Sequence, residues 1–129
     1  DLVLLHGCCH NPCGADLDQD QWRSVTDLAE KNGFTPFIDL AYQGLGDGID
    51  ADSFGVRLMA EQLPELIVVN SCSKNFGLYR ERTGALTVIT DNADATPRPA
   101  RLRLPPVAFT QCLRTTAQQL SQQYCRILP

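Results

Sequence analysis

The chain is short of positive charge, of regularly spaced cysteine and of long apolar runs, and each shortage removes a class of protein. It carries 11 Lys and Arg against 15 Asp and Glu, a net charge of −4, which gives no electrostatic reason for a nucleic-acid or anionic-membrane partner. No apolar run approaches the roughly 18 residues needed to span a bilayer, and the N-terminus has no basic stretch leading into an apolar one. The sequence therefore reads as soluble, untargeted and cytoplasmic. Its six cysteines, Cys8, Cys9, Cys13, Cys72, Cys112 and Cys125, lack the spacing of a disulfide framework, so reduced thiols packing as small hydrophobes are expected. Cys8-Cys9-His10 followed by Cys13 suggests a zinc corner. Adjacent cysteines chelate poorly, however, and no second CxxC or HxxxH completes a ligand set, so no metal site is expected. There is no internal repeat.

What is present suffices for one ordinary domain: 129 residues, 43% hydrophobic and 20% charged, enough to bury a core. The totals conceal a split. Residues 1–90 hold 6 Lys and Arg against 13 Asp and Glu, all 9 Gly and both Lys, whereas residues 91–129 hold 5 Arg against 2 Asp and 5 of the 8 Pro. The two parts have to be read separately.

Leu2 to Leu5 is a continuous apolar run, as in a strand buried on both faces. It starts at the first residue without a lead-in, and an upstream portion is expected. Asp18 is placed to cap a helix through about Asn32, with Trp22, Val25, Leu28 and Ala29 on one face and Gly33 as its stop. Phe34 to Leu40 follows as a second buried strand, giving the strand-helix-strand unit of a parallel sheet. Ala41 to Gly48 reads as a loop, and Asp50 to about Leu63 as a second helix ended by Pro64. Leu66 to Asn70 and Gly84 to Thr90 are the third and fourth strands. Residues 1–90 are thus expected to be α/β, a mostly parallel sheet with flanking helices. Past Asp91 the pattern dissolves, with Pro97, Pro99, Pro105 and Pro106 leaving one helix candidate at Gln111 to Gln123 in a poorly patterned, weakly ordered tail.

Ligands of open α/β sheets bind at the carboxyl ends of the strands. Here those ends lead into His10-Asn11-Pro12, Asp39-Leu40-Ala41-Tyr42 and Ser71-Cys72-Ser73-Lys74. Lys74 follows a buried strand, lies near two serines and precedes Arg82 by eight residues, which offers an amine nucleophile beside a phosphate site. Taken singly, each residue also has a plain reading: Lys74 as a solvated surface lysine, Asp39 as a cap, Asn11-Pro12 as a turn.

Together these segments resemble one family. Ser-Cys-Ser-Lys-Asn-Phe-Gly-Leu-Tyr-Arg-Glu-Arg-Thr-Gly at 71–84 is similar to the lysine motif of aspartate and aromatic amino-acid (tyrosine) aminotransferases, pyridoxal-phosphate enzymes of class I and fold type I. His-Gly-Cys-Cys-His-Asn-Pro-Cys-Gly at 6–14 resembles their asparagine motif, and Phe-Ile-Asp-Leu-Ala-Tyr-Gln-Gly at 37–44 their aspartate-tyrosine motif. Three motifs in the right order are far more specific than any one, and the match spans about residues 1–90.

The resemblance implies reversible amino transfer between an aspartate or aromatic amino acid and a 2-oxo acid. Lys74 would form the Schiff base with the cofactor aldehyde and then move the proton between substrate Cα and cofactor C4′. Asp39 would pair with the pyridine nitrogen and keep it protonated. Tyr42 and Asn11 would hydrogen-bond the ring 3-oxygen, and Arg82 with Ser71 would hold the phosphate. Ser73 is a weaker phosphate or structural candidate. His6 and His10 stand either as groups around Asp39 or as satisfied buried histidines. The resemblance also implies a homodimer, since the family builds its sites between two subunits.

Two departures stand out. The family usually has Thr where this chain has Cys13, which is read as local structure rather than chemistry. Residues 91–129 do not resemble the family's continuation, and the upstream phosphate loop, the ring-stacking aromatic and the downstream carboxylate-binding Arg are missing. The chain is therefore expected to be a fragment carrying the cofactor-binding centre, inactive or nearly so by itself, with a shifted reading frame as one origin of its tail. Sequencing the encoding DNA around codon 90 tests that origin. The alternatives are a non-catalytic degenerate paralogue that binds pyridoxal phosphate or a partner protein, and a plain α/β structural domain.

Overall fold

The computed structural model describes residues 1–90 and the backbone of the two-residue strand Phe109–Thr110. The candidate helix at 111–123 and the reading of the tail lie outside the described residues. Five strands form one sheet in the order β1-β2-β3-β4-β5: β1 (Leu2–His6), β2 (Thr35–Asp39), β3 (Glu65–Ser71), β4 (Gly84–Thr90) and β5 (Phe109–Thr110). β1, β2 and β3 run parallel, as the strand-helix-strand pattern predicts, and β4 returns antiparallel to β3. The twelve residues that join β3 to β4 fold back on themselves, with Cys72 N donating to Thr83 O at the base of the excursion, and this closure sets β4 antiparallel.

Helix α1 (Gln19–Asn32) begins where the sequence places it. Asp18 accepts a hydrogen bond from Gln21 N while the Gln21 side chain accepts from Asp18 N, and Gly33 ends the helix at φ 67°. That reciprocal pair satisfies two of the orphan donors of the first turn. The second helix departs from expectation. It forms as α2 (Ile49–Asp52) and α3 (Phe54–Gln62), interrupted at Ser53, because the Asp52 carboxylate turns back to bind the preceding loop and Ser53 Oγ donates to Asp50 O. The end of β3 leads into a further helical turn, α4 (Cys72–Asn75), where the sequence suggested only a strand end.

One face of the sheet is dry. Ile38, Leu66, Val68 and Ile89 pack against Trp22 and Ala29 of α1 and Met59 and Ala60 of α3. The helices approach so closely that a Cβ on Gly55 would overlap the Trp22 ring. The opposite face has no such cover among the described residues. Leu2 and Leu4 are 60% and 61% exposed there, which corrects the expectation that the first strand is buried on both sides. Alternation along a strand sends these side chains away from the helices that cover Leu5. No helix among the described residues is long and apolar enough to cross a membrane.

Candidate active site

Three loops meet at the carboxyl edge of β1, β2 and β3. In the parallel ladder His6 stands opposite Asp39 and Asp39 opposite Val69, so β2 delivers its terminal carboxylate between two neighbouring strands. Strand alternation puts Asp39 on the face without helices, since Ile38 points into the core. Asp39 Oδ1 accepts from Ala41 N at 3.0 Å. That contact fixes the start of the turn carrying Tyr42 and engages one of the two carboxylate oxygens.

The lysine is placed by α4 and by the reversal of the chain after it. Ser71 caps α4 by accepting from Ser73 N at 3.1 Å, Cys72 N donates to Thr83 O, and Leu78 N donates back to Cys72 O. The segment between β3 and β4 is thereby closed at its base, with Ser71 paired to Gly84 and Arg82 two positions away. Lys74 Nζ lies 5.5 Å from the centroid of the Tyr42 ring and 5.3 Å from that of Tyr79. The two phenol faces offer it a cation-π environment.

Of the residues singled out in the sequence, Lys74 and Tyr42 are brought together, Ser71 touches Ser73, and Asp39 lies at the same edge. Ser73 is buried, which suits the structural side of its reading. Arg82 is exposed, adopts φ 54°, and its Nη1 donates only a long 3.4 Å bond to Tyr79 O. The Asn11 side chain has no hydrogen bond among the described residues, and its bond to Pro12 is cis. His6 and His10 stack on each other with centroids 4.4 Å apart, and neither hydrogen-bonds the Asp39 side chain. Among the described residues no group of three or more His, Cys, Asp or Glu is placed to hold a metal ion.

The expected packing of thiols holds for Cys8, which is buried, but not for Cys13, which is exposed and hydrogen-bonded to His10. The turn at 10–14, closed by Gly14 N donating to His10 O, pushes that side chain outward.

Sequence reasoning missed three residues that shape this edge. Tyr79 lies inside the quoted lysine motif, and the left-handed turn at Gly77, φ 67°, is the signal that the chain folds back there. Asp16 accepts from both Cys9 N (2.7 Å) and His10 N (2.8 Å). Asp52 accepts from Gly44 N, Gly46 N and Asp47 N at 2.8, 3.1 and 2.8 Å. Burial acts to raise the Asp52 pKa, but those three N–H groups and the Cys8 thiol outweigh it and hold the carboxyl below its ordinary range. Cys8 answers in the other direction: burial, then the nearby Asp52 carboxylate, push its thiol up to about 12.

Comparison with known proteins gives a consistent set. The family model described as aminotransferase class I and II matches residues 1–125, further than the residues 1–90 that carry the motifs. An aromatic-amino-acid aminotransferase of Paracoccus denitrificans is 57% identical over 98 residues, covering 76% of this chain and 24% of that protein. Among solved structures, an aromatic amino acid aminotransferase with 3-indolebutyric acid is 61% identical, with a TM-score of 0.64 over 65% of this chain and 21% of the other. One from Burkholderia pseudomallei, covalently bound to pyridoxal phosphate, is 47% identical, with a TM-score of 0.63 over 64% of this chain and 21% of the other. The chain spans about a quarter of the length of the curated relatives it matches.

Proposed function

Because this chain belongs to the class I and II aminotransferases, of fold type I, we propose that the protein of which it forms part transfers an amino group reversibly between an aspartate or aromatic amino acid and a 2-oxo acid, using pyridoxal phosphate, as a homodimer in the cytoplasm. The observation that carries this reading is the position of Lys74 Nζ. It faces the Tyr42 ring at 5.5 Å, at the strand edge where Asp39 ends β2.

The donor set fits the cofactor. Lys74 supplies a primary amine for its aldehyde carbon. Asp39 has one oxygen engaged by Ala41 N, which leaves the other for the ring nitrogen. Asn11 brings an amide with no hydrogen bond of its own among the described residues, and Tyr42 a phenol; both suit the ring oxygen. Arg82, exposed and two residues from Gly84, the ladder partner of Ser71, suits the phosphate as a planar fork of donors, with Ser71 as its companion and the buried Ser73 supporting the turn. When bound, pyridoxal phosphate supplies an electron sink for the charge that develops when the substrate Cα loses its proton. The chain's own part would be to hold and move that proton, with the Lys74 amine as the base at this edge. Asp39 would present to the ring nitrogen the oxygen that Ala41 N leaves free, and the Tyr42 and Tyr79 rings, 5.5 and 5.3 Å from Nζ, bound the space around the lysine.

The chain has only two lysines, Lys31 and Lys74, which gives a clean test. After incubation with pyridoxal phosphate and borohydride reduction, peptide mapping is expected to find the label on Lys74, and Lys74→Ala is expected to abolish the accompanying absorbance band. Label on Lys31 or the α-amino group to an equal extent would sink the proposal. Amino transfer is not expected from this chain alone, and turnover in a full-length form separates the enzyme from a cofactor-binding paralogue without activity.

A further inference from the structure

Cys13 is the one described thiol that combines exposure with a base. Its Sγ lies 3.0 Å from His10 Nδ1, within reach for the thiol to donate to that nitrogen when the ring proton sits on Nε2. His10 is held in place from two sides. Its backbone N–H is fixed by Asp16, and its ring is stacked on His6 at 28° between planes. The 10–14 turn then fixes Cys13 against the ring. The other described thiols are differently placed: Cys8 is 5% exposed with its pKa pushed up to about 12, and Cys9 and Cys72 are half-buried. A nucleophile and base within hydrogen-bond reach, with the base oriented by further groups, is the arrangement that activates a thiol.

We propose that Cys13 and His10 form a thiol-exchange site that takes low-molecular-weight disulfides. The site uses neither Lys74 nor the cofactor and stands whether or not the chain binds one. In the exchange His10 Nδ1 takes the thiol proton and Cys13 Sγ attacks one sulfur of the disulfide. An Sγ–S bond forms as the reagent's S–S bond breaks, and the leaving thiolate recovers the proton from the imidazolium. Cys13 is oxidised to a mixed disulfide while half of the reagent is reduced to a thiol, so no further oxidant is needed. An adduct there stands two residues from Asn11.

The probe is 2,2′-dithiodipyridine, which is uncharged, with rates resolved peptide by peptide in the folded protein and in urea. Cys13 is expected to react about tenfold faster than Cys72 in the folded protein, and faster folded than unfolded, which exposure alone does not produce. Cys8 is expected to be slowed by folding. His10→Phe is expected to bring the Cys13 rate down to that of an ordinary exposed thiol and to leave Cys72 unchanged. A Cys13 rate within about twofold of Cys72, or no faster folded than in urea, overturns the proposal. That comparison needs no variant, so it holds even if His10→Phe fails to fold.

Discussion

Replacing Asp52 tests most directly whether the loop behind Tyr42 is held by one carboxylate. The side chain is 6% exposed and accepts three backbone hydrogen bonds, from Gly44, Gly46 and Asp47. A net hydrogen bond to a charged group contributes about 1.5–3 kcal/mol. In Asp52→Ala the exposed Gly46 and Asp47 amides can turn to water, whereas the half-buried Gly44 amide is left with less. Discounting the first two, the expected loss is about 3 kcal/mol, a large part of the 5–15 kcal/mol typical of a domain. Asp52→Asn keeps one oxygen and the shape, and is expected to cost about 1–2 kcal/mol. Because the folded pKa of Asp52 lies below its unfolded value, this contribution is fully present above the unfolded pKa, near 4, and is lost as pH falls through the folded value. Urea midpoints of wild type and Asp52→Asn, measured at pH 7 and again at progressively lower pH, should therefore converge below about pH 4. A gap under about 0.5 kcal/mol for Asp52→Ala at pH 7, or a gap to Asp52→Asn that does not narrow on acidification, refutes the reasoning.

Two further substitutions probe the core. Gly55→Ala drives a methyl into the Trp22 ring at the α1-α3 contact and is expected to cost about 1–3 kcal/mol, read as a lower thermal midpoint with a changed Trp22 fluorescence; an unchanged midpoint would show that the helices pack more loosely. Met59→Ala empties a position with 0% exposure and is expected to cost about 2–5 kcal/mol, checked by urea unfolding, with a loss below about 1 kcal/mol counting against a packed core there.

The regular elements are legible because their signals are local. Asp18, Gln21 and Gly33 mark both ends of α1, and four apolar runs mark four strands. Direction is not local: Gly84 to Thr90 looks the same whether it runs with β3 or against it, and only the closure of Cys72 onto Thr83 decides. The strand ends announce Asp39, Tyr42 and Lys74, and comparison with relatives agrees with the family that those motifs resemble. Asp52 escapes because its partners are loop amides, which carry no side-chain signature. It also breaks the helix that the spacing of Phe54 and Leu58 predicts, since a carboxylate turned toward the loop cannot also serve a continuous helix. The pairing of Cys13 with His10 is visible only once the turn at 10–14 is seen to close.

The antiparallel return of β4 has a mechanical consequence. Lys74 and Arg82 belong to one closed excursion between paired strands, with Ser71 locked to Gly84 at its base, so they travel together as the tip of a single arm. Asn11 and Tyr42 sit on separate arms, joined to it only through the parallel ladders of β1, β2 and β3. A slip of β2 along β3 would shift Asp39 along the edge and carry Tyr42 away from the lysine, while leaving Lys74 and Arg82 on the same closed excursion. The edge is therefore a jaw with one half closed on itself and one half aligned by strand register.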